Sequence, residues 1–520
     1  MAPMMRSYSY TEDQFYKADG ADVETAALRK KGMNDLAQRF KDLFKESHKA
    51  AETVLDGLSD MRFTDTNRVP FPCQKIVREK LNVFNMVTEA RGAEVKDLDG
   101  NWAIDVSGSY GVNVAGYDVF KNCLAQGWEK VKDLGCVLGP LHPIIEENVE
   151  FLKHVSGQDE VSFHMSGTEA VMCAVRLACF NTRRSKIAVF SGAYHGWWDG
   201  VQPGAGNERI VRDCVTLKDL SPASLTAIAA MGKQLGAVLV NPLQCFHPNS
   251  SPPSDVVLMD SKLRNTADPG DTYRLWLHKL RKVCTENDVP LVFDEVYTGF
   301  RLARGGAQEY FGVKADMVVY GKTIGGGMPN GLVCGPKHLM RRFDPDHPLR
   351  VSYVIGTFAA HPLLLGSMNE FIKFLKLEST PKLYESVSSR FSDWVKDTNS
   401  RLIDHSMPLR IVNLSTIWTI LYTQPGRYNW MLQYYLRAEG VMLSWVGTGR
   451  CLISLDFTDQ NFADLQERII IAAQKMQADG WWWKGDPKKP ITSKVVSSLM
   501  AKEMAYATLV APMFGSKKSE

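Results

Sequence analysis

The sequence has little that would place the protein on nucleic acid or in a membrane. Its 61 lysine and arginine residues nearly balance 58 aspartate and glutamate residues, so the formal net charge is only +3. With so small a net charge, the protein lacks the strong positive field that would hold nucleic acid or anionic lipid. No apolar run reaches the length of a spanning helix. The N-terminus, MAPMMRSYSYTEDQ, has acids where a signal peptide needs an apolar stretch. We therefore expect a cytoplasmic protein.

Paired cysteines are also missing. The chain has ten cysteines, but none of them forms a CxxC pair. Zinc ribbons and thioredoxin-like sites therefore lose their usual motif, and we predict no metal site. The cysteines stand in apolar stretches such as VMCAVRLACF, which is typical of reduced cysteines that act as small buried hydrophobic residues.

A length of 520 residues leaves room for about three domains, and hydrophobic patterning predicts an α/β protein. Residues 1–65 have apolar positions every three or four residues, which predicts polar helices. The segment VKDLDGNWAIDV predicts a β-hairpin around an acidic-glycine turn. Further along, short apolar runs alternate with helical stretches, a pattern typical of parallel βαβ units. The candidate strands are KIAVF (186–190), GAVLV (236–240), VPLVF (289–293) and ADMVVY (315–320).

The residues directly after these strands are unusually rich in chemistry. They are SGAYHGWW, NPLQ, DEVYTGF and GKTIGGGMPNG. Ligands of open parallel sheets bind outside the carboxyl ends of the strands. Because three of the four segments combine glycine with aromatic, acidic or cationic groups, this edge predicts a functional site rather than a scaffold.

Lys322 follows the last of these strands and begins a glycine-rich loop. A lysine there can bind phosphate or act as an amine nucleophile. GKT (321–323) resembles part of a nucleotide-binding loop, but Asp316 stands where that motif needs glycine. A surface lysine at a turn is the alternative, and the neighbouring groups decide between these interpretations.

Asp294 is the first such neighbour, because it ends the strand VPLVF and should emerge at the same edge as Lys322. A lysine that forms a Schiff base with pyridoxal 5′-phosphate (PLP) needs an acid beside the pyridine nitrogen, so that the ring accepts electrons. An Asp that caps the next turn is the alternative. Val296, two residues on, could pack against one face of the ring.

Two further segments could complete such a site. SGTEA (166–170) precedes an amphipathic helix, where Ser and Thr are ordinary N-caps and free N–H groups suit a phosphate. Tyr194 could lie flat on a heterocycle or belong to the core. His195 beside it is interpreted as a structural hydrogen-bonding residue rather than a base.

These motifs together resemble the class III PLP-dependent aminotransferases of fold type I, nearest to the glutamate-1-semialdehyde aminomutase branch. The resemblance is carried by SGTEA, YHG and the block DEVYTGFRLARGGAQEYFGVKADMVVYGKTIGGG. It implies a mostly parallel seven-stranded central sheet flanked by helices, with a smaller α/β domain built from the N- and C-terminal segments. The expected segments are 1–65, a helical extension; 66–120 and 386–485, the small domain; 121–385, the PLP-binding domain; and 486–520, a tail.

The resemblance also implies roles for individual residues. Lys322 would hold PLP covalently and move protons, and Asp294 would pair with the ring nitrogen. Val296 and Tyr194 would cover the two ring faces. Because Thr357 would reach the phosphate of a neighbouring subunit, a homodimer with interfacial active sites is expected. The phosphate would be bound by Ser166, Gly167 and Thr168.

The substrate side departs from the family pattern. Asn241 stands where relatives usually carry glutamate, and AGYDVF (115–120) replaces a more usual Gly-His-x-His-Pro stretch. Arginine is the usual partner of a substrate carboxylate. Among Arg68, Arg301 and Arg450, we favour Arg68, since the aminomutase branch uses an arginine near this place, and we interpret Arg301 as structural.

Three main functions remain open from the sequence, beside a racemase or decarboxylase on the same fold. The first is an intermolecular aminotransferase that passes an amino group from a donor to an aldehyde or ketone, and this is the interpretation we favour. The second is a 2,1-aminomutase of the glutamate-1-semialdehyde type, which moves the amino group within one molecule. The third, a non-catalytic scaffold of the same fold, is disfavoured by the set Lys322, Asp294 and Tyr194.

Overall fold

The computed structural model describes residues 7–81, 86–201, 211–218, 221–242, 269–351, 354–444, 447–486 and 488–510. The chain divides into two compact units. Among the described residues, the terminal unit contains those up to Ser109 and from Ser389 onward, and the sheet unit contains those within Tyr110–Ser250 and Ala267–Ser388. The domain boundaries expected from the sequence stay predictions. None of the helices in the described ranges combines the length and apolar character that a bilayer crossing needs.

The N-terminal part of the terminal unit is helical, as the periodicity predicted. Side-chain oxygens of Thr11 and Asp22 accept backbone N–H groups of the first turns, which fixes where the first two helices begin. The predicted β-hairpin is confirmed, since β2 and β3 pair antiparallel. The elements are α1 Glu12–Tyr16, α2 Val23–Leu43, α3 Lys45–Gly57, α4 Ser59–Thr66, α5 Gln74–Lys80, β1 Val87–Arg91, β2 Glu94–Asp97 and β3 Trp102–Asp105.

The sheet unit is built on the predicted seven-stranded sheet, with strand order β4-β10-β9-β8-β7-β5-β6. The strands are β4 Glu160–His164, β5 Lys186–Phe190, β6 Cys214–Leu217, β7 Leu235–Val240, β8 Leu291–Asp294, β9 Met317–Gly321 and β10 Gly331–Gly335. The four candidate strands are confirmed as β5, β7, β8 and β9. Only β10 runs against its neighbours, because it pairs antiparallel with both β4 and β9.

Helices cover this sheet. They are α6 Tyr117–Val131, α7 Ile145–Ser156, α8 Gly167–Thr182, α9 Pro222–Met231, α10 Pro269–Glu286, α11 Gly306–Phe311, α12 Lys337–Met340 and α13 Pro362–Lys376. Helix α8 enters the core through small side chains, among them Ala170 and Ala174, which are fully buried against Val292 and Val319. Small residues let the helix backbone approach the sheet closely, so the first turn of α8 is fixed near the strand ends.

The C-terminal part of the terminal unit returns to short strands and helices. Its strand β13 pairs parallel with β3, which joins the N- and C-terminal segments in one small sheet, while β11, β12 and β14 form another. The elements are α14 Thr380–Asp404, β11 Leu409–Leu414, β12 Ile417–Tyr422, α15 Leu432–Ala438, β13 Val441–Met442, β14 Cys451–Leu452, α16 Asp459–Ala478, β15 Gly485–Asp486, β16 Lys489–Pro490 and α17 Ser493–Ala505.

Candidate active site

Asp294 and Lys322 leave the sheet at its carboxyl edge from adjacent strands. Asp294 is the last residue of β8, and Lys322 directly follows β9. The two strands are parallel, with Asp294 opposite Val319. Since parallel strands end at the same edge, the carboxylate and the amine belong to one region, as the sequence predicted.

Asp294 is buried and is held by two hydrogen bonds. His195 Nδ1 lies 2.7 Å from Asp294 Oδ2, and the backbone N–H of Val296 donates to Asp294 Oδ1 at 3.1 Å. Because a carboxylate can only accept, Nδ1 is the protonated nitrogen of His195 in this pair. The second ring nitrogen, Nε2, is buried and has no hydrogen-bond partner among the described residues. The two contacts fix the carboxylate in place and leave lone pairs for a third group.

Lys322 sits in a strained backbone conformation at the start of a short 3₁₀ turn, Lys322–Gly325. Its φ of 50° is in the left-handed region, which costs a non-glycine residue free energy and is common at functional sites. Its Nζ donates to the carbonyl oxygen of Tyr110 at 2.7 Å and lies 5.1 Å from the centre of the Tyr297 ring. The amine is therefore positioned by these two contacts.

The first turn of α8 lies against these strand exits. Ser166 caps the helix, and its side-chain oxygen accepts the N–H of Glu169. A Cβ atom at Gly167 would lie 2.8 Å from Val296 Cγ1, and one at Gly321 would lie 3.2 Å from the same atom. The helix start and the exits of β8 and β9 are therefore in contact, which places an anion-binding helix N-terminus beside Asp294 and Lys322.

The exit of β5 joins the same region. A Cβ atom at Gly196 would lie 2.5 Å from Thr168 Oγ1, so this segment packs on the first turn of α8. Tyr194 is about half exposed; burial and the nearby Asp294 carboxylate raise the pKa of its phenol. Tyr194 therefore lies near Asp294 with part of its ring accessible, and its role in covering a bound ring stays a prediction.

These groups form a set with three chemical functions. Lys322 offers an amine, Asp294 a buried carboxylate, and α8 an N-terminus for an anion. Within the described ranges, no group of three or more histidine, cysteine, aspartate or glutamate side chains could hold a metal ion. The set therefore fits an organic group with an aldehyde, a basic nitrogen and a phosphate.

Comparison with known proteins agrees with this chemistry. A family model described as aminotransferase class-III matches residues 76–220 and 272–472. The chain belongs to the class-III aminotransferases. It is a PLP-dependent enzyme of the aminotransferase and aminomutase type, and PLP, which fits the three groups above, is its cofactor.

The chain is similar to known aminotransferases and aminomutases in both sequence and fold. A glutamate-1-semialdehyde 2,1-aminomutase from Alkaliphilus oremlandii is 31% identical over 405 residues, which cover 75% of this chain and 91% of the relative. The crystal structure of a glutamate-1-semialdehyde aminomutase from Pseudomonas aeruginosa PAO1 has a TM-score of 0.67 at 18% identity and covers 86% and 99%. A transaminase with PLP bound has a TM-score of 0.61 at 23% identity and covers 80% and 92%. The fold type I architecture is confirmed.

Thr357, Arg68 and Arg450 are the other predicted residues of this class-III aminotransferase. Thr357 is exposed, and a Cβ atom on its neighbour Gly356 would lie 3.7 Å from Glu169 Oε2. Arg68 belongs to the terminal unit, where its guanidinium donates to Ser444 O at 3.3 Å. Arg450 belongs to that unit as well. The roles of all three stay predictions.

The contacts of Arg301 agree with its interpretation as a structural residue. It is fully buried, and its guanidinium donates to the carbonyl oxygens of Gly111 and Asn113 at 3.2 and 2.8 Å. The same stretch of backbone contacts Lys322, so Arg301 supports the site indirectly. Tyr110 and Tyr297 were not predicted as site residues. Tyr110 contacts Lys322 through its backbone carbonyl, which no side-chain pattern reveals. Tyr297 lies within DEVYTGF, where only Asp294 and Val296 were singled out.

Proposed function

We propose that this class-III enzyme transfers an amino group between two molecules, from an amino donor to an aldehyde or ketone, in a specialised biosynthetic pathway. The observation that carries the proposal is the pair of adjacent strand exits with Lys322 on one and the His195-bound Asp294 on the other. Amino transfer needs an amine that bonds to the cofactor and an acid that keeps the cofactor ring electron-poor.

Each residue of the site has a part in this proposal. Lys322 would hold PLP covalently and would move the proton between the substrate carbon and the cofactor. Asp294 pairs with the ring nitrogen, held by His195 and by the N–H of Val296. When bound, PLP weakens the bonds at the substrate carbon that carries the amino group. The phosphate and the ring faces are served by Ser166, Gly167, Thr168, Val296 and Tyr194.

We favour an intermolecular reaction because the substrate side of the site departs from the family pattern. Asn241 is buried and follows β7, whose Val240 pairs with Phe293, so it comes level with Asp294 at the strand edge. An amide at this place, where glutamate is usual in the family, removes one negative charge beside the site. The match also begins only at residue 76. This chain is therefore an elaborated member, which supports a substrate pair of its own.

A 2,1-aminomutase is the second candidate, and the names of the relatives favour it. The aminomutases of Alkaliphilus oremlandii and Archaeoglobus fulgidus are 31% and 33% identical to the chain. An aminomutase uses the same cofactor groups, since amino transfer out of and back into one molecule needs the same proton movements. The difference lies in whether an external donor is required.

We also propose that the working unit is a homodimer with active sites at the subunit interface. Thr357 is exposed and therefore accessible to a second copy of the chain. In a symmetric dimer the same contact occurs twice, so each copy would complete the phosphate site of the other.

The deciding experiment measures the visible absorbance of purified protein with a panel of amino donors. Loss of the band of lysine-bound PLP together with release of a keto acid supports intermolecular transfer. Turnover of glutamate 1-semialdehyde without any donor supports the aminomutase instead. Lys322→Ala is the control, because it removes the bond on which the band depends. An unchanged band with every amine would contradict both functions.

A further inference from the structure

The surroundings of the Lys322 amine include two groups without an assigned role. The carbonyl oxygen of Tyr110 accepts a hydrogen bond from Nζ at 2.7 Å. The face of the Tyr297 ring lies 5.1 Å from the same nitrogen, within the range of a cation–π contact. A carbonyl oxygen and a ring face both attract an ammonium group, and both lie close to Nζ here.

The backbone that carries the Tyr110 carbonyl is held firmly. Thr323 Oγ1 donates to the carbonyl oxygens of Gly111 and Val112, both at 3.1 Å. Arg301 donates to Gly111 and Asn113. Thr323 follows Lys322 directly, so the residue after the lysine fixes the backbone that the lysine itself contacts.

This backbone is also strained. Tyr110 has a φ of 57°, a left-handed conformation that an L-residue adopts at a cost, and its neighbour Ser109 has a φ of 46°. Such a conformation persists only where the surroundings determine it, and it is common at functional positions. Here the conformation directs the Tyr110 carbonyl toward Nζ.

Gly111 is required for the ring to approach. Its φ is 98°, and a Cβ atom at this position would lie 2.9 Å from Tyr297 Cδ2 and 3.6 Å from Lys322 Cδ. A side chain here must displace the Tyr297 ring, whereas Lys322 Cδ stays at an ordinary contact distance. Gly139 provides a matched position, because its φ is 99° and a Cβ atom there would meet nothing within 4 Å.

We propose that the Tyr110 carbonyl and the Tyr297 ring form a holding site for the Lys322 amine whenever that amine is not bonded to the cofactor. The inference rests on the proposed function in one respect, that Lys322 is the covalent lysine. When Nζ takes a proton from the substrate carbon, an N–H bond forms, the C–H bond breaks and its electron pair stays on the substrate side. The holding site stabilises the resulting ammonium and keeps it in place to return the proton. Tyr110 and Tyr297 are therefore positioning residues.

The test is the rate at which Lys322 is acylated by a small amine-reactive reagent in the full-length enzyme loaded with pyridoxamine 5′-phosphate, where the lysine is not covalently bound. Peptide mass spectrometry compares Lys322 with the other lysines of the chain. A held ammonium reacts slowly, because only the neutral amine is a nucleophile. We expect Gly111→Ala to accelerate the acylation of Lys322 about tenfold over Gly139→Ala, which has nearly the same φ without the clash.

A second pair of variants separates the ring from the fold. Tyr297→Leu removes the ring face and should also accelerate acylation several-fold, whereas Tyr297→Phe keeps it and should react at the wild-type rate. The single-turnover rate of the same two variants is then measured with a donor that carries deuterium at the α-carbon. The isotope effect should be larger in Tyr297→Leu than in Tyr297→Phe, because proton transfer is slower without the ring. A merely structural role for Tyr297 would not move this isotope effect.

The outcomes distinguish this inference from the function on which it rests. Full protection of Lys322 from acylation in wild-type enzyme loaded with PLP is expected, and its failure would overturn the covalent role and the holding site together. If PLP protects Lys322 but Gly111→Ala and Tyr297→Leu both react like Gly139→Ala, the covalent role stands and the holding site is wrong. Thermal unfolding of each variant verifies that it is folded, and if Gly111→Ala is not folded, the Tyr297 pair decides.

Discussion

His195 Nδ1 donates a hydrogen bond to Asp294 Oδ2 across 2.7 Å, and both side chains are almost completely buried. The contact joins the exit of β5 to the end of β8, and so it fixes the carboxylate relative to two strands at once. We predict that His195→Leu weakens the binding of PLP roughly tenfold, because the carboxylate loses a donor and its orientation. Titration of the apoenzyme with PLP, followed by visible absorbance, measures this.

His195→Asn is the matched variant, since the amide nitrogen of asparagine can donate from nearly the position of Nδ1. It should recover most of the affinity. If the asparagine and leucine variants bind PLP equally, the hydrogen bond to Asp294 has no part in holding the carboxylate, and the effect of leucine is one of packing.

Asp294→Asn tests the carboxylate itself. An amide can still hydrogen-bond a ring nitrogen but does not favour the protonated ring, so PLP should stay bound while amino transfer slows by two orders of magnitude or more. The single-turnover rate with an amino donor, measured beside the PLP affinity, separates the two effects. A rate near that of the wild type would contradict the role of Asp294.

Much of this site was accessible from the sequence because parallel strands end at a common edge. Asp294, Lys322, Tyr194 and the SGT turn each follow or precede an apolar run, and short-range patterning is enough to find such runs. The antiparallel β10 was not predicted, since an apolar run does not specify the direction of its pairing. The partner of His195 lies 99 positions along the chain. No local signal encodes such a contact, and none encodes the left-handed turn that brings the Tyr110 carbonyl to Lys322.

Glu295, next to Asp294, gives the protein a pH-dependent stability. It is fully buried and accepts the backbone N–H groups of Ala307 and Gln308 at 2.6 and 3.1 Å. Burial raises the pKa of Glu295 from 4.5 to about 8, although the two hydrogen bonds favour the charged form. Because the folded-state value is the higher one, protonated Glu295 stabilises the fold below about pH 4.5, and this contribution is lost as the pH rises through about 8.

We therefore predict that Glu295→Gln changes the slope of stability with pH. The free energy of unfolding of the wild type, minus that of the variant, should fall by roughly 3–5 kcal/mol between pH 4.5 and pH 8. Urea unfolding at several pH values measures the difference, in which the other titrating groups cancel. A difference that does not vary with pH would mean that Glu295 has the same pKa in the folded and the unfolded protein.

Thr357 allows a direct test of the proposed dimer. If the proposed roles hold, Thr357→Glu puts a negative charge beside the phosphate and Lys322→Ala removes the covalent amine, so each variant alone should be inactive. If Thr357 serves the partner's site, a mixed dimer contains one intact site, and an equal mixture after subunit exchange should regain about a quarter of the activity. Differently tagged copies verify the exchange. No recovery in a mixture that has exchanged would mean that Thr357 acts within its own chain, where Gly356 already lies near Glu169.

The N-terminal helices are part of the terminal unit's core, and Arg29 tests how firmly they are held. Arg29 is fully buried, forms two hydrogen bonds with Asp19 at 2.7 and 2.8 Å, and donates to Gly480 O at 2.9 Å. Its guanidinium also lies 4.5 Å from the Tyr428 ring. Arg29 therefore links α2 to the segment that precedes it and to Gly480, which follows α16 in the same unit.

Arg29→Met should lower the free energy of unfolding by about 3–5 kcal/mol, because it leaves the Asp19 carboxylate buried without its partner. Adding Asp19→Asn should recover part of this loss, since the uncompensated charge is then removed. Lys30→Met is the matched control: its ion pair with Glu12 is half exposed, so its loss should cost less than about 1 kcal/mol. Urea unfolding of the three variants gives the comparison. Equal stability of Arg29→Met and Lys30→Met would mean that water reaches Asp19 and that the N-terminal helices pack loosely on the unit.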